Sequence, residues 1–282
     1  MILIVIVIII ICITLYIHYN NWPPNRWNWS YVSKHNSLQW SNYFNAKLYP
    51  GAYTCDIFDQ HENGYCGICF LISPLQIIHE KLKINNKVKK ETYLDIQHIA
   101  NQYASYIRSM PGIIRSPLRS ICFGVNPFDV VELLKNKRIG LKFKNKLENL
   151  NEHPRDDLQE YDVDMYVNIN KVIKLEGSNE DIKWYILRNG PILAKISSNV
   201  LLKDVKNTNT EYDHIICVVG WENEKWILRN SWGKSGYTRK RPDNPSKYVL
   251  QDTPLVQWKG NDGYIKLSTN SIKEFFDIVL NL

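Results

Sequence analysis

Cys69 is followed by apolar residues at positions 71, 72, 75, 78 and 82, the spacing of a helix with one buried face. A helix that starts there holds the thiol in its first turn, where unpaired backbone N–H groups favour an anion. Pro74 falls beyond that first turn and deletes a backbone hydrogen bond, so the pattern predicts a helix that tilts without breaking. A thiolate is also stabilised by a nearby imidazolium, and the chain supplies an imidazole far downstream.

His214 stands before Ile215-Ile216-Cys217-Val218-Val219-Gly220-Trp221, whose β-branched content and closing glycine predict a buried strand. A second strand, Lys225 to Asn230, is expected beside it after a turn at Glu222-Asn223-Glu224. Such a hairpin carries His214 and Asn230 near one another. The Asn230 amide then accepts from one ring nitrogen and fixes the tautomer, while the other nitrogen faces the sulfur. A cysteine, a histidine or an asparagine taken singly is ordinarily a core, surface or turn residue. The order of thiol, imidazole and amide, each in its own local string, points to nucleophilic chemistry at Cys69.

Those strings are Cys66-Gly67-Ile68-Cys69-Phe70, Asp213-His214 and Arg229-Asn230-Ser231-Trp232-Gly233, and together they resemble the papain-like (C1) cysteine peptidases. Five weaker strings extend the resemblance in the same order: Trp27-Asn28-Trp29, Leu94 to Ile99 with Asp95 as N-cap, Cys122-Phe123-Gly124-Val125-Asn126, Asn189-Gly190-Pro191-Ile192, and Asp262 to Leu267. The resemblance implies an α+β, two-lobed fold with the active site in the cleft between lobes. The catalytic domain would occupy residues 20–282, with a helix-rich left lobe over about 20–150 and a strand-rich, barrel-like right lobe over about 151–282. It further implies that Trp232 covers the histidine–asparagine bond, that Gly124 lines the substrate cleft, and that Cys66 pairs with Cys122.

The oxyanion hole of these enzymes takes a glutamine side chain, normally six positions before the nucleophile, where this chain has the shorter Asn63. Gln60 lies three residues further upstream, in Gln60-His61-Glu62-Asn63-Gly64-Tyr65-Cys66. That layout is similar to cathepsin X (cathepsin Z), where a short inserted loop follows the Gln-His pair. The similarity assigns Gln60 to the oxyanion and implies that His61 binds a substrate's terminal carboxylate, giving carboxypeptidase activity. Trp221 and Arg229 match the same relative, while Glu62 departs from it. Other departures are Phe70 for the usual tryptophan, Ile68 for a small polar residue, and Val125 where a second glycine belongs, narrowing the cleft.

A chain of 282 residues with 44% hydrophobic content is ample for one catalytic unit. The formal charge of +7 reads as a solvated basic surface and not as a nucleic-acid site. No metal-ligand spacing or phosphate-binding glycine loop is present, so no metal or cofactor is expected. Of the cysteines outside the expected disulfide, Cys217 reads as a buried free thiol; the family's next bridge is missing, since Gln102 stands where it should begin.

Met1 to Ile17 is continuously apolar apart from Thr14 and Tyr16, about the ~17-residue minimum for a membrane span. With no basic residue before it and no small-residue cleavage string after it, residues 1–19 are expected to be a single-pass membrane anchor or uncleaved signal, the rival being a cleaved signal peptide. The expected disulfide and the sequon Asn28-Trp29-Ser30 put the catalytic domain in a lumenal, endolysosomal or extracellular space. The short stretch from His18 to Arg26 is too brief for the family's usual propeptide. Control is then expected from localisation and pH, or from insertions at residues 103–121 and 234–261, the latter reading as an exposed loop. The expected function is thiol-dependent peptide hydrolysis by a monomer, with peptide or protein as substrate. The alternative is a tethered papain-fold protein that binds peptides or partners without turnover.

Overall fold

The structure is a computed structural model. It describes residues 37–39, 57–89, 91–109, 121–123, 126–150, 154, 161–203, 212–240, 253–272 and 274–282. The expected membrane anchor, Trp27-Asn28-Trp29, Cys12, Cys55, Gly124, Val125 and the centres of both insertions lie outside those residues. Among the described residues, no helix is long and apolar enough to cross a membrane.

The chain order is β1 (Ser37–Gln39), α1 (Cys69–Ile84), β2 (Tyr93–Leu94), α2 (Ile96–Ser109), α3 (Pro127–Lys135), β3 (Phe143–Lys144) and β4 (Ile169–Leu175). It continues with α4 (Asn179–Asn189), β5 (Ile192–Ile196), β6 (His214–Glu222), β7 (Lys225–Arg229), β8 (Tyr237–Arg239), β9 (Leu255–Gln257), β10 (Tyr264–Ser268) and β11 (Glu274–Leu280). One antiparallel sheet runs β10-β7-β6-β5-β11-β4, and β1 pairs with the far end of β6. Two small ladders, β2 with β3 and β8 with β9, stand apart from it. Helices α1 to α3 fall between β1 and the remaining strands of the large sheet, giving the α+β arrangement expected.

Local chemistry explains the element starts. Asp95 caps α2, its carboxylate accepting from the His98 N–H at 3.0 Å. Asn126 caps α3 with Pro127 at its first position, and Ser178 with Asp181 forms a capping box on α4. The β6–β7 hairpin closes tightly, since Trp221 faces Trp226 and Glu222 faces Lys225. Asn223 takes the left-handed conformation there, φ 52°, as short polar side chains tolerate.

The sheet separates two apolar clusters. One face, with Leu193, Ile215, Cys217 and Val219, packs on α1 and the first-half helices. The other, with Ala194, Ile216, Val218 and Leu228, packs on Ile182, Ile186 and Leu187 of α4. Residues 214–221 of β6 are buried throughout, so its side chains alternate between two interiors and read as a continuous apolar run.

α1 corrects the expectation of a helix with one buried face. It runs unbroken through Pro74, and every residue from Cys69 to Lys83 is buried. Burying His79, Glu80, Lys81 and Lys83 demands partners, because an isolated charge in an apolar interior is strongly destabilising. Glu80 receives both guanidinium nitrogens of Arg229 on β7, and Lys81 contacts Asp277 on β11 at 2.6 Å. Tyr185 of α4 adds a hydroxyl donor to the same Asp277 carboxylate at 2.8 Å. Ser73 donates to the Ile215 carbonyl at 3.0 Å, and His79 reaches Thr92 at 3.2 Å.

Cys217 is free and buried, its thiol 3.5 Å from the Ser73 carbonyl. Cys66 and Cys122 are joined in the expected disulfide.

Removing one partner of the Glu80–Arg229 pair leaves a buried guanidinium facing a neutral group. Glu80→Gln is therefore expected to lower the unfolding free energy by about 3–5 kcal/mol, measured by urea denaturation. A loss below about 1 kcal/mol, the range of an exposed pair, would refute the argument.

Candidate active site

Cys69 opens α1, preceded by Ile68 at the N-cap with no side-chain cap and no acidic residue in the first turn. The unpaired N–H groups of that turn are thus not satisfied by a carboxylate of the helix itself, which leaves their field for an anion at the sulfur. The loop before it is fixed twice to the turn at Ile121–Phe123: by the Cys66–Cys122 disulfide and by the Gly67 N–H donating to the Cys122 carbonyl at 2.6 Å. A Cβ on Gly67 would sit 2.8 Å from that carbonyl oxygen, so the close approach requires glycine. Ile68 is fully buried; its side chain fills the core, which gives the replacement of a small polar residue a packing reason.

His214 is the first residue of β6, and Asp213 before it is held by the Ser198 N–H at 2.7 Å and hydroxyl at 2.8 Å. Asn230 follows the last residue of β7, its own N–H donating to the Gly263 carbonyl at 2.9 Å. The hairpin brings the pair together: His214 Nε2 lies 2.8 Å from Asn230 Oδ1. Because an amide oxygen only accepts, Nε2 carries the proton and Nδ1 is the nitrogen left for the hydrogen bond with Cys69. Trp232 packs beside the imidazole, its ring centroid 5.0 Å from that of His214 at a tilt of 41°, and is braced edge-on by Trp258.

Burial alone would raise the Cys69 thiol, but the charge of His214, its hydrogen bond and the Ile215 main chain together bring it below its ordinary value. Burial would likewise lower His214, and there the Cys69 charge, the Cys69 and Asn230 hydrogen bonds and Asp213 prevail and raise it. The two shifts oppose each other in the sense that stabilises a thiolate beside an imidazolium.

The segment at 58–60 runs against the segment at 231–233. Gln60 N–H donates to the Ser231 carbonyl at 2.9 Å and Gly233 N–H to the Phe58 carbonyl at 3.1 Å. Gly233 has φ +71°, and a Cβ there would lie 2.4 Å from an Asp59 carboxylate oxygen, so glycine is required for the two segments to meet. This pairing carries Gln60 to the cleft, where it lines the same walls as Cys69 and His214. Asn63 points elsewhere, donating to the Leu150 carbonyl at 3.0 Å.

His61, expected to bind a substrate's terminal carboxylate, adjoins Gln60 in the lining of the cleft. It is buried, stacked on Tyr65 at 4.9 Å, with Nδ1 2.6 Å from Thr238 Oγ1 and Nε2 2.9 Å from the Gln60 amide nitrogen. Burial first, then the charges of His214 and Arg239, push its pKa down to about 3 against an opposing main-chain bond to Cys66. It is neutral at every ordinary pH, with both nitrogens engaged, so it offers no cation to a carboxylate. Glu62, next in the chain, is exposed and accepts from Asn149.

The cleft encloses about 960 Å³. Phe70 lines it while packing on Tyr103 at 5.5 Å. Sequence reasoning missed Thr238, Arg239 and Lys240, with Leu255, Val256 and Gln257, all of which line the cleft from β8 and β9. The described ends of the 234–261 insertion are therefore a wall of the site. The β-branched Thr238 and Val256, which face each other across the ladder, were the only local signal.

The family model described as "Papain family cysteine protease" matches residues 50–256. Among solved structures, digestive procathepsin L2 proteinase from Tenebrio molitor larval midgut is similar at 16% identity and TM-score 0.52, over 87% of this chain and 68% of that one. Bromelain protease from Ananas comosus is similar at 14% identity and TM-score 0.52, over 88% of this chain and 100% of that one. At such identities the likeness concerns the fold. No curated protein matches this chain.

His61 also has a consequence for stability. Its ordinary pKa is 6.5 and its folded one about 3, so between those values the unfolded chain binds a proton that the folded chain refuses. Stability therefore falls as pH drops through that window, and His79, lowered mainly by burial, acts in the same direction. Replacing His61 by phenylalanine is expected to reduce the pH slope of the unfolding free energy between about pH 6 and 4 by close to one proton, read from denaturant titrations. An unchanged slope would contradict the buried neutral imidazole.

Proposed function

We propose, for a chain that belongs to the papain family of cysteine proteases, that peptide hydrolysis runs through Cys69, His214, Asn230 and Gln60. The observation that carries this reading is the aligned set at the cleft: Cys69 at the head of α1, hydrogen-bonded to His214, which Asn230 orients at 2.8 Å. The Cys69 thiolate attacks the scissile carbonyl carbon. His214 Nδ1 gives its proton to the departing amine, and the same nitrogen then deprotonates the water that hydrolyses the thioester. The developing oxyanion meets the Cys69 backbone N–H and the Gln60 amide, donors in place before the reaction begins. Trp232 shields the His214–Asn230 bond from water.

Carboxypeptidase specificity is left out of this reading, since a neutral His61 bonded at both nitrogens offers no charge to a terminal carboxylate. Against the non-catalytic alternative, Ile68 beside the nucleophile is a packing residue, and an intact thiol–imidazole pair favours turnover. We also read residues 1–19 as an anchor that presents the domain to an oxidising compartment, a placement that the Cys66–Cys122 disulfide supports.

Labelling with a thiol-directed epoxide is expected to fall on Cys69, and Cys69→Ala to abolish both labelling and cleavage of amidated peptides. Gln60→Ala should keep the label and lose about 10²–10³ in kcat. Wild-type kcat/KM should follow a bell in pH, its limbs belonging to the coupled thiol–imidazole pair. Cleavage that survives Cys69→Ala would overturn the reading.

A further inference from the structure

The Gln60 amide has two N–H donors and one acceptor, and the structure spends them unequally. Its Oε1 accepts from the Ser231 hydroxyl at 2.6 Å, and its nitrogen lies 2.9 Å from His61 Nε2. An amide nitrogen can only donate, so His61 Nε2 is the acceptor and bears no proton. The proton then sits on Nδ1, which donates to Thr238 Oγ1 at 2.6 Å. Gln60, His61, Ser231 and Thr238 are all buried. The amide is thus gripped at both ends, and its second N–H is left for an oxygen in the cleft that Gln60 shares with Cys69.

We infer that His61 is a positioning residue for the oxyanion donor: held by Thr238 of β8 in its Nδ1–H tautomer, it aims the Gln60 amide at the cleft through an Nε2 acceptor. The inference rests on the proposed oxyanion role of Gln60 and explains why a histidine adjoins that glutamine in this chain. A glutamine side chain with free torsions would spread its donor over several rotamers, whereas catalysis by a hydrogen bond requires the donor to be in place beforehand. Only an unprotonated Nε2 can serve. The surroundings favour this against the main-chain bond to Cys66: the ring is buried and packed by Tyr65 and Trp232, its charged neighbours His214 and Arg239 repel a proton, and Asp59 is committed to the His61 main-chain N–H at 2.9 Å. Thr238 belongs to the ladder at the base of the 234–261 insertion, so that insertion contributes to oxyanion geometry as well as to the cleft wall.

The test compares wild type with His61→Phe, His61→Gln, Thr238→Val and Thr238→Ser in the full chain, using a C-terminally amidated peptide and epoxide labelling. Loss of aim is expected to lower kcat of His61→Phe by about 10- to 100-fold with KM nearly unchanged, and Thr238→Val by a smaller factor. His61→Gln, whose side-chain oxygen can accept from Gln60, and Thr238→Ser should restore most of it. Epoxide labelling of Cys69 should persist in all four, so its absence from wild type would indict the proposed function and not this inference. Unchanged kcat in a labelled His61→Phe or Thr238→Val would overturn the inference. So would a KM increase confined to peptides with a free carboxylate, which assigns His61 to substrate binding. Nitrogen-15 shifts of the wild-type His61 ring decide independently of turnover and of variant folding: an Nδ1–H neutral ring between pH 5 and 7 is expected, and an Nε2–H tautomer or an imidazolium would overturn the proposal.

Discussion

The helix that begins at Cys69 can exist only because the sheet supplies counter-charges for it. α1 is buried from end to end, with Glu80 set against Arg229 of β7 and Lys81 against Asp277 of β11. Two ion pairs of opposite polarity, on adjacent helix residues, reach strands from opposite sides of β6 and β5. Desolvating four charges offsets much of what their attraction gains, so such pairs contribute little net stability against an apolar alternative. What they do is make other rotations and shifts of α1 costly, since each would leave a charge unpaired. The nucleophile is therefore indexed to His214 and Asn230 by contacts far down the helix from the chemistry.

Two buried imidazoles share the cleft and are driven in opposite directions. His214 has a titratable anion, Cys69, and an amide acceptor, Asn230, so its charged form is favoured. His61 is lowered first by burial and then by the charges of His214 and Arg239, against a main-chain bond to Cys66, so its neutral form is favoured. The same side chain is a proton carrier in one setting and a fixed acceptor in the other. Burial lowers both; only His214 has the anionic partner that reverses it.

Much of this arrangement was legible in the sequence. Apolar spacing after Cys69 located α1, the β-branched run after His214 located β6, and the short polar turn at Asn223 made the hairpin that pairs His214 with Asn230. Asp95 announced the start of α2. The burial of Glu80 and Lys81 was not legible, because their partners Arg229 and Asp277 lie 149 and 196 residues away and a charged residue on a helix ordinarily signals solvent. Thr238 was hidden for a similar reason: nothing local says that a threonine in a basic, proline-rich stretch will meet a histidine 177 residues upstream. His61 was read as a carboxylate anchor since residue type was visible and tautomer was not.

Cys217 lies three residues along β6 from His214 and is also a free, buried thiol. Burial pushes it up to about 11, whereas Cys69 is brought below its ordinary value. One strand thus joins the base that activates one sulfur to a second sulfur that stays protonated, with no barrier between them except orientation: Ile215 and Cys217 face the first-half core, while His214 begins the strand at the cleft. Oxidants and electrophiles that act on thiolates will accordingly find one reactive sulfur among these two. Damage at Cys69 would silence the chemistry without touching the packing of β6.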